Sequence, residues 1–276
     1  MVESVHSNQD IKYLENNKIM GEPQFNNSIV LFNGSNNILF CEDGVNLTNS
    51  KIQFNGNNSI IYLSSSKYKY KTQIFVFNES TVFIGKDNNI SATLRINVQE
   101  SQNVIIGDDC VIGPNVDIRT SDGFPVFSGL NKKRINLPSS VIIGDHVWLG
   151  HLSYLSRGVK LGSGSIVYNN TNVLPHVTVK SNSYYANGQV ISDNVFFMGS
   201  HTAYFDKNDI RNIVLNNERL YMTYDIGHDL IENGNSKYVT KYSQNRSGSC
   251  KTIIGDSVNE ISNNKVNAVK PYEDKI

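Results

Sequence analysis

Charged residues are scarce in this chain. Of 276 residues, 25 are Lys or Arg and 25 are Asp or Glu, so charge makes up 18% of the sequence and cancels at neutral pH. An average globular chain carries about a quarter. Without net charge there is no electrostatic pull toward nucleic acid or an anionic membrane, and neither is expected as a partner. Cysteine is sparse too: Cys41, Cys110 and Cys250 are odd in number and far apart. That argues against a disulfide framework and a zinc pattern, and it predicts a reducing compartment. No apolar run approaches the roughly 20 residues of a membrane-spanning helix. The opening residues MVESVHSNQDIKYLENN lack the apolar core of a signal peptide. The expectation is a soluble, cytoplasmic protein with no membrane span and no metal.

Asn, Ser, Gly, Ile and Val are plentiful, which suits short β-strands joined by turns that tolerate left-handed backbone angles. From Ile143 the sequence can be cut every six residues into IGDHVW, LGHLSY, LSRGVK, LGSGSI, VYNNTN, VLPHVT and VKSNSY. Each unit opens on a branched aliphatic: Ile143, Leu149, Leu155, Leu161, Val167, Val173 and Val179. Four residues later stands a small or β-branched side chain: Val147, Ser153, Val159, Ser165, Thr171, Val177 and Ser183. IGDDCV from Ile106 and IGPNVD from Ile112 obey the same rule. Neither a strand's period of two nor a helix's 3.6 holds one register at six over so many units. A triangular solenoid does, with one unit per face and about 18 residues per coil. The fold class is therefore all-β, a left-handed parallel β-helix. The first and fifth residues of each unit point inward, and the second faces a tight turn.

Outside this stretch the pattern loosens. FNGSNNILF from Phe32 and FNGNNSIIY from Phe54 repeat at a spacing of 22. Residues 1–25 are read as an N-terminal segment and 26–105 as irregular coils that start the stack and shield its open end. Residues 106–192 are the regular solenoid, with a loop at 119–140. Residues 193–276 form a C-terminal extension, partly flexible, in which FFMGSHTAYF and IVLNNERLYMTY could pack on the solenoid.

The loop RTSDGFPVFSGLNKKRINLPSS makes Ile118 to Ile143 a step of 25 residues instead of six. It carries a Ser-Asp-Gly turn, an apolar cluster (Phe124, Val126, Phe127) and a basic patch (Lys132, Lys133, Arg134). It is either a decorated loop packed on a neighbouring coil or an active-site loop.

Taken together, SDG, the later RIN and IGDHVWLG resemble the hexapeptide-repeat acyltransferases of the sugar and capsular polysaccharide O-acetyltransferase type, over roughly residues 104–192. The resemblance implies a homotrimer, with acetyl-CoA as co-substrate in the groove between prisms and the loop of one subunit reaching its neighbour. The acceptor would be a sugar or polysaccharide. It implies that Trp148 lines the site and helps hold the acetyl carbonyl, and that the residue after SDG is a catalytic His. That position is Phe124 here, and a phenyl ring cannot accept a proton. The cofactor groove implied by the motif falls on Arg157, Ser165, Asn170, Ala186 and Asn187. Two family segments are altered there, as Tyr168-Asn169-Asn170-Thr171 and Ala186-Asn187-Gly188-Gln189.

The other histidines were weighed as substitute bases. His146, fourth in its hexad, is expected to be structural or on the surface. His151, third in its hexad, could share a groove with Trp148 and replace the missing base. His176, His6, His201 and His228 rank lower, and Asp122 is expected to cap local backbone N–H groups. No Gly-x-Ser-x-Gly elbow supports a serine hydrolase. Two functions follow: transfer of an acetyl group to a sugar hydroxyl, or a catalytically inactive hexapeptide protein used for glycan binding or as a scaffold.

Overall fold

A computed structural model describes residues 2–193, 195 and 197. The parallel strands stack as a left-handed β-solenoid with three faces. In one full coil Tyr154–Leu155 lies on the first face, Lys160–Leu161 on the second and Ile166–Val167 on the third. Among the described residues the one helical element is a 3-10 turn at Ile11–Tyr13. His201, His228, Cys250 and, apart from Phe197, the two apolar segments of the extension lie outside the described residues.

The hexad prescribes the interior. Ile143, Leu149, Leu155, Leu161, Val167, Val173 and Val179 are fully buried in one continuous core. Each such side chain contributes roughly 1.5–3 kcal/mol by leaving water. The fifth positions Val147, Ser153, Val159, Ser165, Thr171 and Ser183 are buried beside them, while Val177 is half-buried.

The turns differ from expectation. The left-handed residue is the fourth of each hexad: His146, Leu152, Gly158, Gly164, Asn170, His176 and Asn182 all have φ between +50° and +75°. Asn, Asp and His tolerate this region better than most side chains. That explains two of the chain's histidines without reference to chemistry. The second residue is Gly for another reason. A Cβ on Gly162 would lie 2.3 Å from the backbone N of Ser181, because the next coil passes directly over it.

The coils before residue 120 are also wider than six-residue faces allow. Ile52, Ile74, Ile96 and Ile118 pair in steps of 22, whereas Leu155 and Val173 are 18 apart. The extra residues fall at one corner: Ile96 to Ile106 spans ten positions where Leu155 to Leu161 spans six. Longer strands there turn two residues inward instead of one, as with Val30 and Phe32, or Ile52 and Phe54. Phe32 and Phe54 stack at 4.8 Å in that wider interior. The 22-residue spacing thus reflects a regular, larger coil and not an irregular one. Outward-facing Phe40, Tyr62 and Phe83 form a second buried ring column on the second face, with centroids 4.6 and 5.3 Å apart.

The stack begins earlier than residue 26, with Lys18–Met20. Its open end is covered by Glu3–Val5, antiparallel to Ile29–Phe32, and by Ile11 and Leu14 packed on the core. At the other end Tyr184–Ala186 and Gln189–Ser192 form an antiparallel hairpin. Its two turn residues, Asn187 and Gly188, both have positive φ, as Asn-Gly hairpin turns require. That hairpin ends the parallel stacking.

Candidate active site

Three corners run the length of the prism, and each collects a different set of polar side chains. The corner between first and second faces bears the loop, then Arg157-Gly158, then Pro175-His176. The corner between second and third faces bears Asp108-Asp109, Asp145-His146 and Asn182. The corner between third and first faces bears His151-Leu152 and Asn169-Asn170. His146, His151 and His176 are therefore on three different edges.

The loop is a finger tied down at its root. Phe127 bridges Arg134 in antiparallel fashion, and Ile135 N–H donates to the Val126 carbonyl. Asn136, the last residue of the RIN motif, is buried and acts as a clasp. Its Nδ2 donates to Asp122 Oδ2 (2.9 Å) and to the Phe124 carbonyl (2.8 Å), and its Oδ1 accepts from Val126 N–H. Arg134 donates from two nitrogens to the Glu100 carboxylate, which also accepts from the Ser121 hydroxyl. The Arg134 guanidinium holds the Glu100 carboxyl below its usual range. The expected basic patch is therefore divided: Arg134 is neutralised, while Lys132 and Lys133 stand exposed at the tip. With its backbone held, Phe124 points its ring into solvent at 81% exposure.

Asp122 is bound by side chains, while the cap on Gly123 N–H comes from the Ser121 hydroxyl. Asp122 Oδ2 accepts from Arg157 Nε at 3.1 Å, and Arg157 Nη1 lies 2.9 Å from His176 Nε2. Burial opposes ionisation of Asp122, but Asn136 and Arg157 outweigh it and hold its pKa below the ordinary value. Because a guanidinium can only donate, His176 Nε2 is the acceptor and its proton sits on Nδ1.

Trp148 lies on the third face, half-buried, paired with Val111 and Ile166. In a triangular prism that face is opposite the corner bearing the loop. Trp148 and position 124 therefore belong to opposite sides of one chain. His151 flanks the Trp148 face at the far corner. Its backbone is fixed by Asn169 Oδ1 and Asn170 N–H, and its imidazole is exposed. Asn170, also exposed, sits directly above it on the next coil.

The remaining cofactor candidates divide. Ser165 is the inward fifth residue of its hexad and sealed within the prism, and Ala186 is buried in the terminal hairpin strand. Their side chains cannot line an open groove, which corrects the expectation for both. Asn187 occupies the hairpin turn.

His146 is engaged at both nitrogens. Nδ1 lies 2.9 Å from Asp109 Oδ2 and Nε2 3.0 Å from the carbonyl of Phe197, whose ring stacks on the imidazole at 4.2 Å. Both ring nitrogens therefore face acceptors, a setting that favours the protonated imidazole. Burial opposes that charge, yet the Asp109 and Phe197 hydrogen bonds prevail and raise the pKa. The stabilisation is complete below the unfolded value of about 6.5. It is lost as pH rises through the raised folded value. Thermal melts between pH 6 and 8.5 should show a midpoint that declines with pH, and the decline should be smaller in His146→Gln. Equal pH slopes for the two proteins would refute it. Sequence reasoning did not identify Asp109 or Glu100, which lie far from their partners in the chain; Phe197 falls in FFMGSHTAYF, a segment expected to pack on the solenoid, but its partner was not foreseen.

A family model described as the hexapeptide repeat of succinyl-transferase matches residues 103–126 and 140–175. The chain is 39% identical over 90 residues to a polysialic acid O-acetyltransferase of Escherichia coli O1:K1 / APEC, covering 33% of this chain and 29% of the relative. It is 31% identical over 88 residues to the galactoside O-acetyltransferase of Escherichia coli K12, covering 32% of this chain and 42% of the relative. These sequence matches thus span less than half the length of either relative. The solved structure of the polySia-specific acetyltransferase NeuO aligns with a TM-score of 0.58 and 32% identity, over 71% of this chain and 88% of that one. The polysialic acid O-acetyltransferase OatWY aligns with a TM-score of 0.57 and 21% identity, over 72% of this chain and 95% of that one, which supports the fold alone. With the hexad, the clasped loop and the Trp148 face all in place, the chain belongs to the hexapeptide-repeat, left-handed β-helix family of acyltransferases, of the sugar and capsular polysaccharide O-acetyltransferase type.

Proposed function

We propose that the protein transfers an acetyl group from acetyl-CoA to a hydroxyl of a polysaccharide. The clasped loop carries this reading. Asp122, Asn136 and Arg157 fix the backbone on both sides of position 124 and present its side chain outward, an arrangement that costs ordering and gains nothing for the core. The acceptor oxygen attacks the thioester carbonyl carbon, the C–S bond breaks, and CoA leaves as the thiol with the hydroxyl's proton. Trp148 and a backbone N–H hold the oxyanion. Holding both substrates in line supplies much of the rate.

Position 124 and Trp148 are on opposite sides of the prism, so the site forms between copies. The loop corner of one chain meets the Trp148 face of the next, a heterologous contact that closes as a ring. Three copies suit a three-sided prism, and a homotrimer is the proposed assembly, working in the cytoplasm.

Among the three corner histidines, His151 has the imidazole best placed to take a proton. Both nitrogens of His146 are engaged by Asp109 and Phe197, and Nε2 of His176 is engaged by Arg157. Leu152, next to His151, holds φ +57°, a conformation that costs a side chain roughly 1–2 kcal/mol. It is the left-handed turn that the fourth residue of every hexad adopts, so it is a requirement of the backbone. Arg157, Asn170 and the exposed Asn187 are the remaining candidates for contact with CoA. Release of CoA thiol from acetyl-CoA, with polysialic acid and neutral oligosaccharides as acceptors, is the test. His151→Ala should lower turnover about 10²-fold or more if His151 is the base. Equal rates for the two proteins would remove it from that role.

A second reading rests on the exposed apolar finger, Phe124, Val126, Phe127 and Leu130. An inactive protein that binds glycan or scaffolds a partner would present such a surface. It is favoured if acetyl-CoA binds without turnover.

A further inference from the structure

The C-terminal segment is not part of the repeat, yet its first residues return to the solenoid at one particular place. Asp193 accepts from the Ser183 hydroxyl at 2.9 Å, and Val195 N–H donates to the Asn182 carbonyl at 2.9 Å. These contacts carry the chain down the corner between the second and third faces. Two residues on, Phe197 meets His146 face to face, with centroids 4.2 Å apart and planes 10° apart, while its carbonyl accepts from Nε2. The same ring lies 5.8 Å from the Trp148 indole, tilted by 49°. His146 is thereby in contact with three groups: Asp109 from the coil below, Phe197 from the tail, and its own corner.

From this geometry we infer that Phe197 is a positioning residue for Trp148, held in place by His146, and that its ring supplies one wall of the acetyl-CoA site. The inference deepens the proposed acetyl transfer and rests on it for its kinetic consequence only. An indole on an exposed strand has several rotamers open to it. A ring against one side removes part of that freedom, and a tilted aromatic pair in the 4.5–7 Å range is itself attractive. The imidazole between Asp109 and the Phe197 carbonyl fixes where the tail crosses the corner.

Trp148 is the only tryptophan in the chain, so its fluorescence reports on this contact alone. In the full-length protein, Phe197→Ala should move Trp148 emission to longer wavelength and increase its quenching by acrylamide, and Phe197→Tyr should keep the wild-type spectrum. With acetyl-CoA as substrate, Phe197→Ala should lower kcat/KM by about 2- to 12-fold, the worth of an aromatic pair, partly through a raised KM and partly through a lower kcat, since Trp148 also holds the oxyanion. That effect should vanish when the background is Trp148→Phe. If Phe197→Ala lowers the solenoid's circular dichroism, Phe197→Leu is measured in its place. Unchanged emission and quenching in the alanine or leucine variant would overturn the inference, as would an unaltered kcat/KM effect in the Trp148→Phe background. Absence of turnover in every protein would reject the transferase reading, and the fluorescence result would still decide this one.

Discussion

Phe124→His should raise the rate of CoA release from acetyl-CoA by about 10²- to 10⁴-fold, the usual contribution of a positioned general base. The site is prepared for it. Gly123 takes φ +84°, the Phe124 carbonyl is held by Asn136, and the side chain is presented to solvent, so an imidazole fits without disturbing the core. The wild-type protein offers no proton acceptor on that side chain. Its rate therefore depends on His151 or on an acceptor that needs little help. Turnover of Phe124→His and Phe124→His/His151→Ala with saturating acetyl-CoA separates the cases. A large gain that persists in the double variant identifies position 124 as the place of the base. No gain in either, with wild-type activity lost in His151→Ala, identifies a relocated base.

Leu155→Ala should cost about 2–5 kcal/mol of stability, seen as a lower urea midpoint. Leu155 is fully buried, stacked between Ile118 below and Val173 above. A three-sided interior one side chain wide cannot collapse around the gap, because each coil's backbone is hydrogen-bonded to its neighbours. Ser165→Ala, in the same coil, should be neutral or slightly stabilising. The Ser165 hydroxyl is buried with no hydrogen-bond partner among the described residues, and an unsatisfied buried hydroxyl costs about 1–3 kcal/mol. A loss in Ser165→Ala equal to that in Leu155→Ala would mean that inward fifth positions are not packed as described.

Much of the site was visible in the sequence as motif and invisible as geometry. The SDG and RIN segments could be quoted, but Asn136 and Asp122 became a clasp only when the loop folded back on itself. Asp122, Arg157 and His176 are far apart in sequence and adjacent on one corner, since residues separated by a whole coil stack directly. His146 and His176 invited a chemical reading, yet their place in the hexad is the left-handed turn residue, a backbone requirement. Ser165 was misassigned because a motif match does not say which way a side chain points; the fifth-residue rule did. The 22-residue spacing was noticed and misread as irregularity, because the extra residues add inward positions at one corner and leave the other two unchanged.

The sequence alone determined the three-sided interior. Six-residue spacing of aliphatic and small side chains admits no other regular structure, since the prism has room for nothing else. Only the tertiary structure decided that Trp148 and position 124 face opposite ways, that Arg134 is spent on Glu100, and that Phe197 returns to the Trp148 face. Those relations join residues 24 to 49 positions apart. They depend on how coils stack and where the chain turns back, which no local pattern records.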